Sequence, residues 1–180
     1  SSAASDVYKR QALDSIPIPF VVVDNTVPNH YCSSVCMNNA ENVHIALQYC
    51  RECGHTELGY LGSTTGAENF NERHIAFLRY VKELNFKFDS QNEFRVKPTM
   101  LGAHDDFSKV LDQNPVLPSC FFAENDTIAL GAMKALKEKG YKIPNDVSLI
   151  GFDDIPYSSI SSPTLTTIHV QRKIMGKQSV

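Results

Sequence analysis

Short apolar, β-branched runs alternate with longer helical segments along most of this chain, and this alternation restricts the fold more than any other feature. Residues 18–23, 119–123 and 147–152 are the clearest strand-like runs. They are predominantly apolar, as expected for strands that are covered on both faces of a sheet. Strands that alternate with helices build βαβ units, so the pattern predicts an α/β fold with mainly parallel sheets flanked by helices.

The remaining elements follow from periodicity and from helix-ending glycines. The further predicted strands cover residues 57–61, 94–96 and 166–170, and the predicted helices cover residues 40–53, 69–84, 103–112 and 127–139. Gly54 and Gly140 follow the first and the last of these helices, where a left-handed glycine commonly ends a helix. In the second helix we expect Ile75, Leu78 and Val81 to face the core.

Polar residues follow the three clearest strands directly. Asp24 follows the first strand, Asn125 and Asp126 follow the second, and Asp153 and Asp154 follow the third. In an open α/β sheet the carboxyl ends of the strands are where small ligands bind. Asn and Asp side chains there can exchange paired hydrogen bonds with a polyhydroxylated molecule. The sequence therefore predicts a binding cleft for a small polar ligand.

Each of these polar groups also has a purely structural interpretation. Either Asn125 or Asp126 must cap the helix that begins near residue 127, because the first N–H groups of a helix need acceptors. We assign the cap to Asp126, which leaves Asn125 for the ligand. Two acidic residues, Asp153 and Asp154, are more than an Asx turn requires, so we interpret Asp153 as a ligand residue.

Arg73 lies within the predicted helix 69–84, and periodicity alone favours a solvated charge paired with Glu72 or Glu68. Its planar guanidinium carries five donors and would equally suit a clamp on hydroxyls, ring oxygens or a carboxylate.

The composition excludes several classes of function. The net charge is −3, and the chain has no basic run, so it carries no nucleic-acid-binding surface of its own. No apolar run is long enough to span a membrane. Motifs for nucleophilic hydrolysis, phosphate binding, dinucleotide binding and zinc proteolysis are missing. We therefore expect no enzyme and no cofactor; Asp153 and Asp154 would be the only candidates for a catalytic base or nucleophile.

Four of the five cysteines have a spacing that superficially resembles a zinc site, C-x3-C-x13-C-x2-C, formed by Cys32, Cys36, Cys50 and Cys53. Cys50, however, lies on the apolar face of the predicted helix 40–53, where a cysteine is an ordinary small core residue. We expect no metal. The odd count also argues against a disulfide framework and favours a reducing compartment.

Three motifs in the second half of the chain resemble the effector-binding domain of the LacI/GalR family. They are A-x-N-D-x-x-A-L-G-A from Ala123, I-P-x-D-V-S-L-I-G-F-D-D from Ile143 and S-P-x-L-T-T-I from Ser162. Upstream, residues 18–24, 52–55 and 69–73 resemble the same family in the same order. The resemblance covers about residues 16–180.

The resemblance implies a periplasmic-binding-protein-like fold of two lobes, with the effector bound between them. Residues 39–165 would form a nearly complete C-terminal lobe, and residues 12–38 and 166–180 part of the N-terminal lobe. Residues 1–11 fit neither pattern and are expected to be a non-native or disordered segment. The resemblance further implies that the cleft is lined by four residues, namely Asp24, Arg73, Asn125 and Asp153.

The same resemblance implies a cytoplasmic transcriptional regulator that acts as a homodimer. Its effector would control affinity for operator DNA, which would be bound by a helix-turn-helix domain absent from this chain. A sugar is the expected effector, but residues 97–99 lack the aromatic ring that stacks on sugars in many members, so a nucleobase or another metabolite stays open. The alternatives are a sugar-binding protein of an ABC-type transporter and, third, an enzyme of sugar metabolism.

Overall fold

A computed structural model of the chain describes residue 13 and residues 16–24 and 32–180. The strands are β1 (Val21–Val23), β2 (Ser33–Val35), β3 (Leu58–Ser63), β4 (Glu93–Val96), β5 (Cys120–Ala123), β6 (Ser148–Asp153) and β7 (Thr166–His169). The helices are α1 (Asn39–Glu52), α2 (Glu68–Glu83), α3 (Met100–Leu111), α4 (Asp126–Glu138), α5 (Pro156–Ile160) and α6 (Arg172–Gln178), and one 3-10 turn covers Ser90–Asn92.

The chain divides into two units, which we call the smaller unit (Ser1–Met37 with Gln171–Val180) and the larger unit (Asn38–Val170). The smaller unit contains β1 and β2, which pair in parallel, and also α6. The larger unit contains a five-stranded parallel sheet in the order β4-β3-β5-β6-β7. The predicted α/β class with mainly parallel strands is therefore confirmed.

The sheet of the larger unit is covered by helices on both faces. On one face Leu61 and Phe121 pack with α3 and α4 in the main apolar cluster, and both are fully buried. Tyr60 and Phe122 belong to the other face, where their rings contact that of Phe77 in α2. Neighbouring strand residues thus alternate between two cores, as a pleated strand requires. Because the five strands are parallel, their carboxyl ends all lie at one edge of this sheet.

Several sequence predictions are corrected in detail. Ile75 is 68% exposed, because the buried face of α2 is instead built around Arg73, Phe77 and Val81. The first strand begins only at Val21, after prolines that cannot donate to a ladder. The helix α5 was not predicted, because its five residues are too few to show a helical periodicity. Gly54 and Gly140 both have φ of +89° after their helices, which confirms them as helix-ending glycines.

Strand β7 belongs to the larger unit. It pairs with β6 along its whole length, from Ile150 opposite Thr166 to Asp153 opposite His169. The two units divide after Val170. The lobe boundary after residue 165 stays a prediction. None of the helices in the described part of the chain is long and apolar enough to span a membrane.

Candidate ligand-binding site

Three of the four predicted site residues lie together at the carboxyl edge of the larger sheet. Nη2 of Arg73 is 3.6 Å from Oδ1 of Asp153 at the end of β6. Nη1 of Arg73 donates to the backbone oxygen of Glu124 at 2.6 Å, directly before Asn125. The structure thus places Asn125 and Asp153 beside the Arg73 guanidinium, and all three residues belong to the larger unit.

Arg73 is a buried residue, with a side chain only 1% exposed. Its Nε donates to Oδ1 of Asn39 in α1 at 2.9 Å, and its guanidinium carbon lies 3.7 Å from the ring centroid of Phe152. The interpretation as a solvated helix charge is therefore wrong. The guanidinium carbon also lies 5.7 Å from the ring centroid of Phe70, so hydrogen bonds and aromatic contacts together hold the guanidinium in one orientation.

The assignment of the α4 cap is corrected. Oδ1 of Asn125 accepts the backbone N–H of Ile128 at 2.8 Å, so Asn125 is the N-cap of α4. Asp126 is the first helical residue and is fully buried. Capping occupies the carbonyl oxygen of the Asn125 amide, and its NH₂ group is the part that can donate to a ligand. Asn125 is consequently both a structural residue and a site candidate.

The two acidic residues at the end of β6, Asp153 and Asp154, have an unusual backbone. Asp153 has φ of 112° and Asp154 has φ of 51°, in the region that L-residues seldom adopt. Each such residue costs about 1–3 kcal/mol and persists only where its surroundings hold it, which is common at binding sites. Oδ2 of Asp154 is 2.6 Å from Nδ1 of His169 at the end of β7. The Asp153 side chain is 25% exposed, so it can reach a ligand.

Asp24 belongs to the smaller unit. It follows β1 with φ of 59°, and its backbone N–H donates to the oxygen of Val35 in β2 at 2.8 Å. It therefore stands at the carboxyl end of its strand, as expected from the sequence. Its place in a common site with Arg73 stays a prediction.

Glu124 is a residue of this edge that the sequence analysis passed over. Its side chain is fully buried and accepts from the Tyr60 hydroxyl at 2.5 Å, the Ser63 N–H at 2.5 Å and Nη1 of Arg95 at 3.0 Å. Burial raises the pKa of Glu124, and these donors oppose that rise. Burial, and then the nearby Glu124 charge, also raise the pKa of Tyr60. The sequence signal that points to Glu124 is an acidic residue directly after the apolar run of β5.

The cysteines do not gather around a metal. Cys50 is buried, and its sulfur lies 3.8 Å from that of Cys120 at the start of β5. Within residues 16–24 and 32–180, no group of three His, Cys, Asp or Glu side chains is placed to hold a metal ion.

Residues 47–180 match a sequence family described as a periplasmic binding protein-like domain. The chain belongs to this family. It is 31% identical over 176 residues to the HTH-type transcriptional repressor PurR of Actinobacillus pleuropneumoniae, with 96% of this chain and 52% of PurR aligned. It is 32% identical over 177 residues to the HTH-type transcriptional regulator GalS of Salmonella typhimurium, with 98% and 52% aligned. The chain thus spans about half the length of these curated relatives.

Solved structures of this family share the fold. A LacI-family sugar-binding transcriptional regulator of Escherichia coli, complexed with phosphate, superposes with a TM-score of 0.82 at 23% identity, covering 96% of this chain and 62% of that one. The complex of the regulator CelR with cellobiose gives 0.83 at 23% identity, covering 94% and 52%. Together with the sequence matches, these structures confirm the resemblance to LacI/GalR effector-binding domains. All four of these proteins are named as regulators, which does not favour the transporter alternative.

Proposed function

We propose that this chain is the effector-sensing part of a LacI/GalR-type transcriptional regulator. The observation that carries the proposal is the pairing of the buried Arg73 with Asp153 at the carboxyl edge of the sheet, next to Asn125. The larger unit would be the C-terminal lobe, and the smaller unit would be part of the N-terminal lobe that contributes Asp24. Effector binding would shift the affinity for operator DNA, a coupling of about 1–3 kcal/mol in typical systems.

The chemistry of the site favours an uncharged, polyhydroxylated effector. Arg73 already faces the carboxylate of Asp153, and Arg95 already faces that of Glu124, so both cations are neutralised within the protein. An anionic ligand would gain little there, whereas hydroxyls can accept from Arg73 and donate to Asp153. A sugar fits this arrangement, in line with the cellobiose complex of CelR. The similarity to PurR keeps a nucleobase as the second candidate.

Operator binding would require a helix-turn-helix segment, such as the names of the relatives indicate, outside the residues of this chain. A transcriptional regulator acts in the cytoplasm, and we assign the protein to that compartment. The site combines a buried guanidinium and a capping amide with one strained carboxylate, a set suited to holding a ligand, and we propose no catalysed reaction.

We further propose that the protein is a homodimer, joined through an apolar groove of about 490 Å³. Its apolar lining comes from the start of α3, from α4 and from α5, and consists of Met100, Leu130, Met133, Tyr157 and Ile160. Ile160 is 76% exposed and Tyr157 is 59% exposed. Exposed apolar surface of this kind, rimmed by polar residues, marks protein–protein contacts.

Sedimentation of variants tests the dimer. Ile160→Glu places a charge in the groove and should yield monomers. Ile75→Glu is the matched control, because Ile75 is an isoleucine on α2 of similar exposure (68%) that does not line the groove. A monomeric wild-type protein, or equal behaviour of the two variants, would contradict the proposed interface.

A ligand screen tests the effector site. Thermal unfolding should be measured with mono- and disaccharides, nucleobases and nucleosides, because a ligand at about 100 times its Kd adds about 2.7 kcal/mol of apparent stability. Asp153→Ala should abolish the response, whereas Glu83→Ala, which removes an exposed acidic residue at the end of α2, should not. The proposal fails if no compound stabilises the protein, or if Asp153→Ala responds like the wild type.

A further inference from the structure

The buried carboxylate of Asp126 accepts hydrogen bonds from the segment that follows β6. Oδ2 of Asp126 accepts the backbone N–H of Ile155 at 2.9 Å and the hydroxyl of Ser158 at 2.6 Å. Oδ1 accepts the hydroxyl of Thr167 on β7 at 2.5 Å. Asp126 and Ser158 are 0% and 1% exposed, so these bonds form away from water. One side chain at the start of α4 thus binds α5, β7 and the loop between β6 and α5.

Thr167 connects Asp126 to a second backbone group, the N–H of Asp154. Its hydroxyl hydrogen is donated to Asp126, and its oxygen accepts the N–H of Asp154 at 3.3 Å. A hydroxyl can donate and accept at once, which a carboxylate or an ammonium cannot do. The backbone N–H of Asp154 is therefore connected through Thr167 to Asp126, and the N–H of Ile155 is connected to Asp126 directly.

These two bonds fall where the backbone most needs support. Asp153 and Asp154 both have positive φ, and a strained conformation persists only where neighbouring contacts over-determine it. Asp153 precedes the two anchored N–H groups and follows the buried Phe152. The direction of its carboxylate, 3.6 Å from Arg73, is consequently set by a backbone that is fixed on both sides.

We propose that Thr167 is a positioning residue for the effector site, in that its hydroxyl and the Asp126 carboxylate hold the 153–155 backbone so that Asp153 faces Arg73. The inference rests on the proposed function for its biological meaning. Thr167 itself need not touch the effector. Its role is specific to the hydroxyl, so serine should replace it and valine should not.

Two substitutions and one matched control test this role by NMR in the absence of any effector. In Thr167→Val the amide of Asp154 should exchange with solvent about tenfold faster, since one backbone hydrogen bond is lost. The side-chain N–H signals of Arg73 should shift as Asp153 moves away. Thr167→Ser should behave like the wild type. So should Thr166→Val, which makes the same change at the neighbouring exposed position of β7.

The inference is overturned if Thr167→Val leaves the Asp154 exchange rate and the Arg73 signals unchanged, or if Thr167→Ser alters them as much as valine does. Urea unfolding distinguishes a local from a global effect, because a globally destabilised variant would accelerate exchange throughout the sheet. Titration with cellobiose adds the functional readout, in which Thr167→Val should weaken binding and Thr166→Val should not. The NMR result judges the positioning role alone, whereas the ligand screen judges the proposed function.

Discussion

Removal of the Arg73 side chain should destabilise the larger unit strongly. Arg73→Ala leaves two acceptors without their donor, Oδ1 of Asn39 and the backbone oxygen of Glu124, and it removes the cation from the Phe152 ring. Hydrogen bonds to charged groups contribute about 1.5–3 kcal/mol each, and a desolvated cation–π contact about 2 kcal/mol. The pair with Asp153 adds less, because that side chain is 25% exposed. Since neighbouring losses are not additive, we expect about 3–5 kcal/mol, the range for breaking a buried charge pair.

Urea unfolding followed by circular dichroism measures this loss, and the midpoint should fall while the m-value stays constant. Arg79→Ala is the matched control on the same helix. Its side chain is 63% exposed and pairs with Glu83 one turn away, so its removal should leave the free energy of unfolding almost unchanged. Arg73→Lys should recover only part of the loss, because an ammonium cannot replace the planar fork. If Arg73→Ala costs no more than Arg79→Ala, the reasoning from its burial and contacts is refuted.

Three further predictions concern other buried or paired groups. Burial raises the pKa of Glu124. The stability that protonated Glu124 adds is therefore complete below the ordinary glutamate pKa, and it is lost as the pH rises through the raised pKa of the folded state. In urea unfolding, the wild type should lose stability between mildly acid and neutral pH, and Glu124→Gln should not show this loss. The carboxylate of Glu138 in α4, and then that of Asp105 in α3, accepts a hydrogen bond from the His104 ring, and both raise the pKa of His104. The stabilisation by His104 is therefore complete below the ordinary histidine pKa and disappears above the raised one. Wild type and His104→Gln should converge at alkaline pH, from a difference below about 1 kcal/mol in urea unfolding. A Cβ at Gly151 would clash with Oδ1 of Asp126, so Gly151→Ala should lower the free energy of unfolding in urea by about 1–3 kcal/mol. A Cβ at Gly66 would meet no atom within 4 Å, so Gly66→Ala should leave that free energy unchanged.

The sequence was sufficient for the fold class because its strongest signals are local. Continuous apolar runs and glycines after helices depend on a few neighbouring residues, and α1, α4, β5 and β6 lie within one or two residues of their predicted bounds. Ile75 shows where such reasoning stops. The periodicity of α2 is compatible with more than one buried face, and only the partners of Arg73 on α1 and β6 select the face that is observed.

The sequence predicted where the candidate site lies in the fold, but it did not predict most of the interactions within the site. Asn125 and Asp153 could be named because they end strands, a one-dimensional feature. The capping role of Asn125, by contrast, depends on which of two adjacent side chains points along α4. The role of Glu124 depends on Tyr60 and Arg95, which lie on two other strands. Tertiary partners decide both, and no local pattern contains them.

The residues proposed to bind the effector are thus also residues that hold the fold, and this limits how a ligand can engage them. Arg73 has short bonds of 2.6 Å and 2.9 Å to groups within the core, while its contact with Asp153 is longer, at 3.6 Å. Of these partners, Asp153 is the one that is partly exposed and ends a strained segment. A hydroxyl that inserts between Arg73 and Asp153 would therefore exchange the weakest contact for two hydrogen bonds and leave the core bonds intact. Because an inserted anion would instead face the Asp153 carboxylate, the geometry favours a neutral effector.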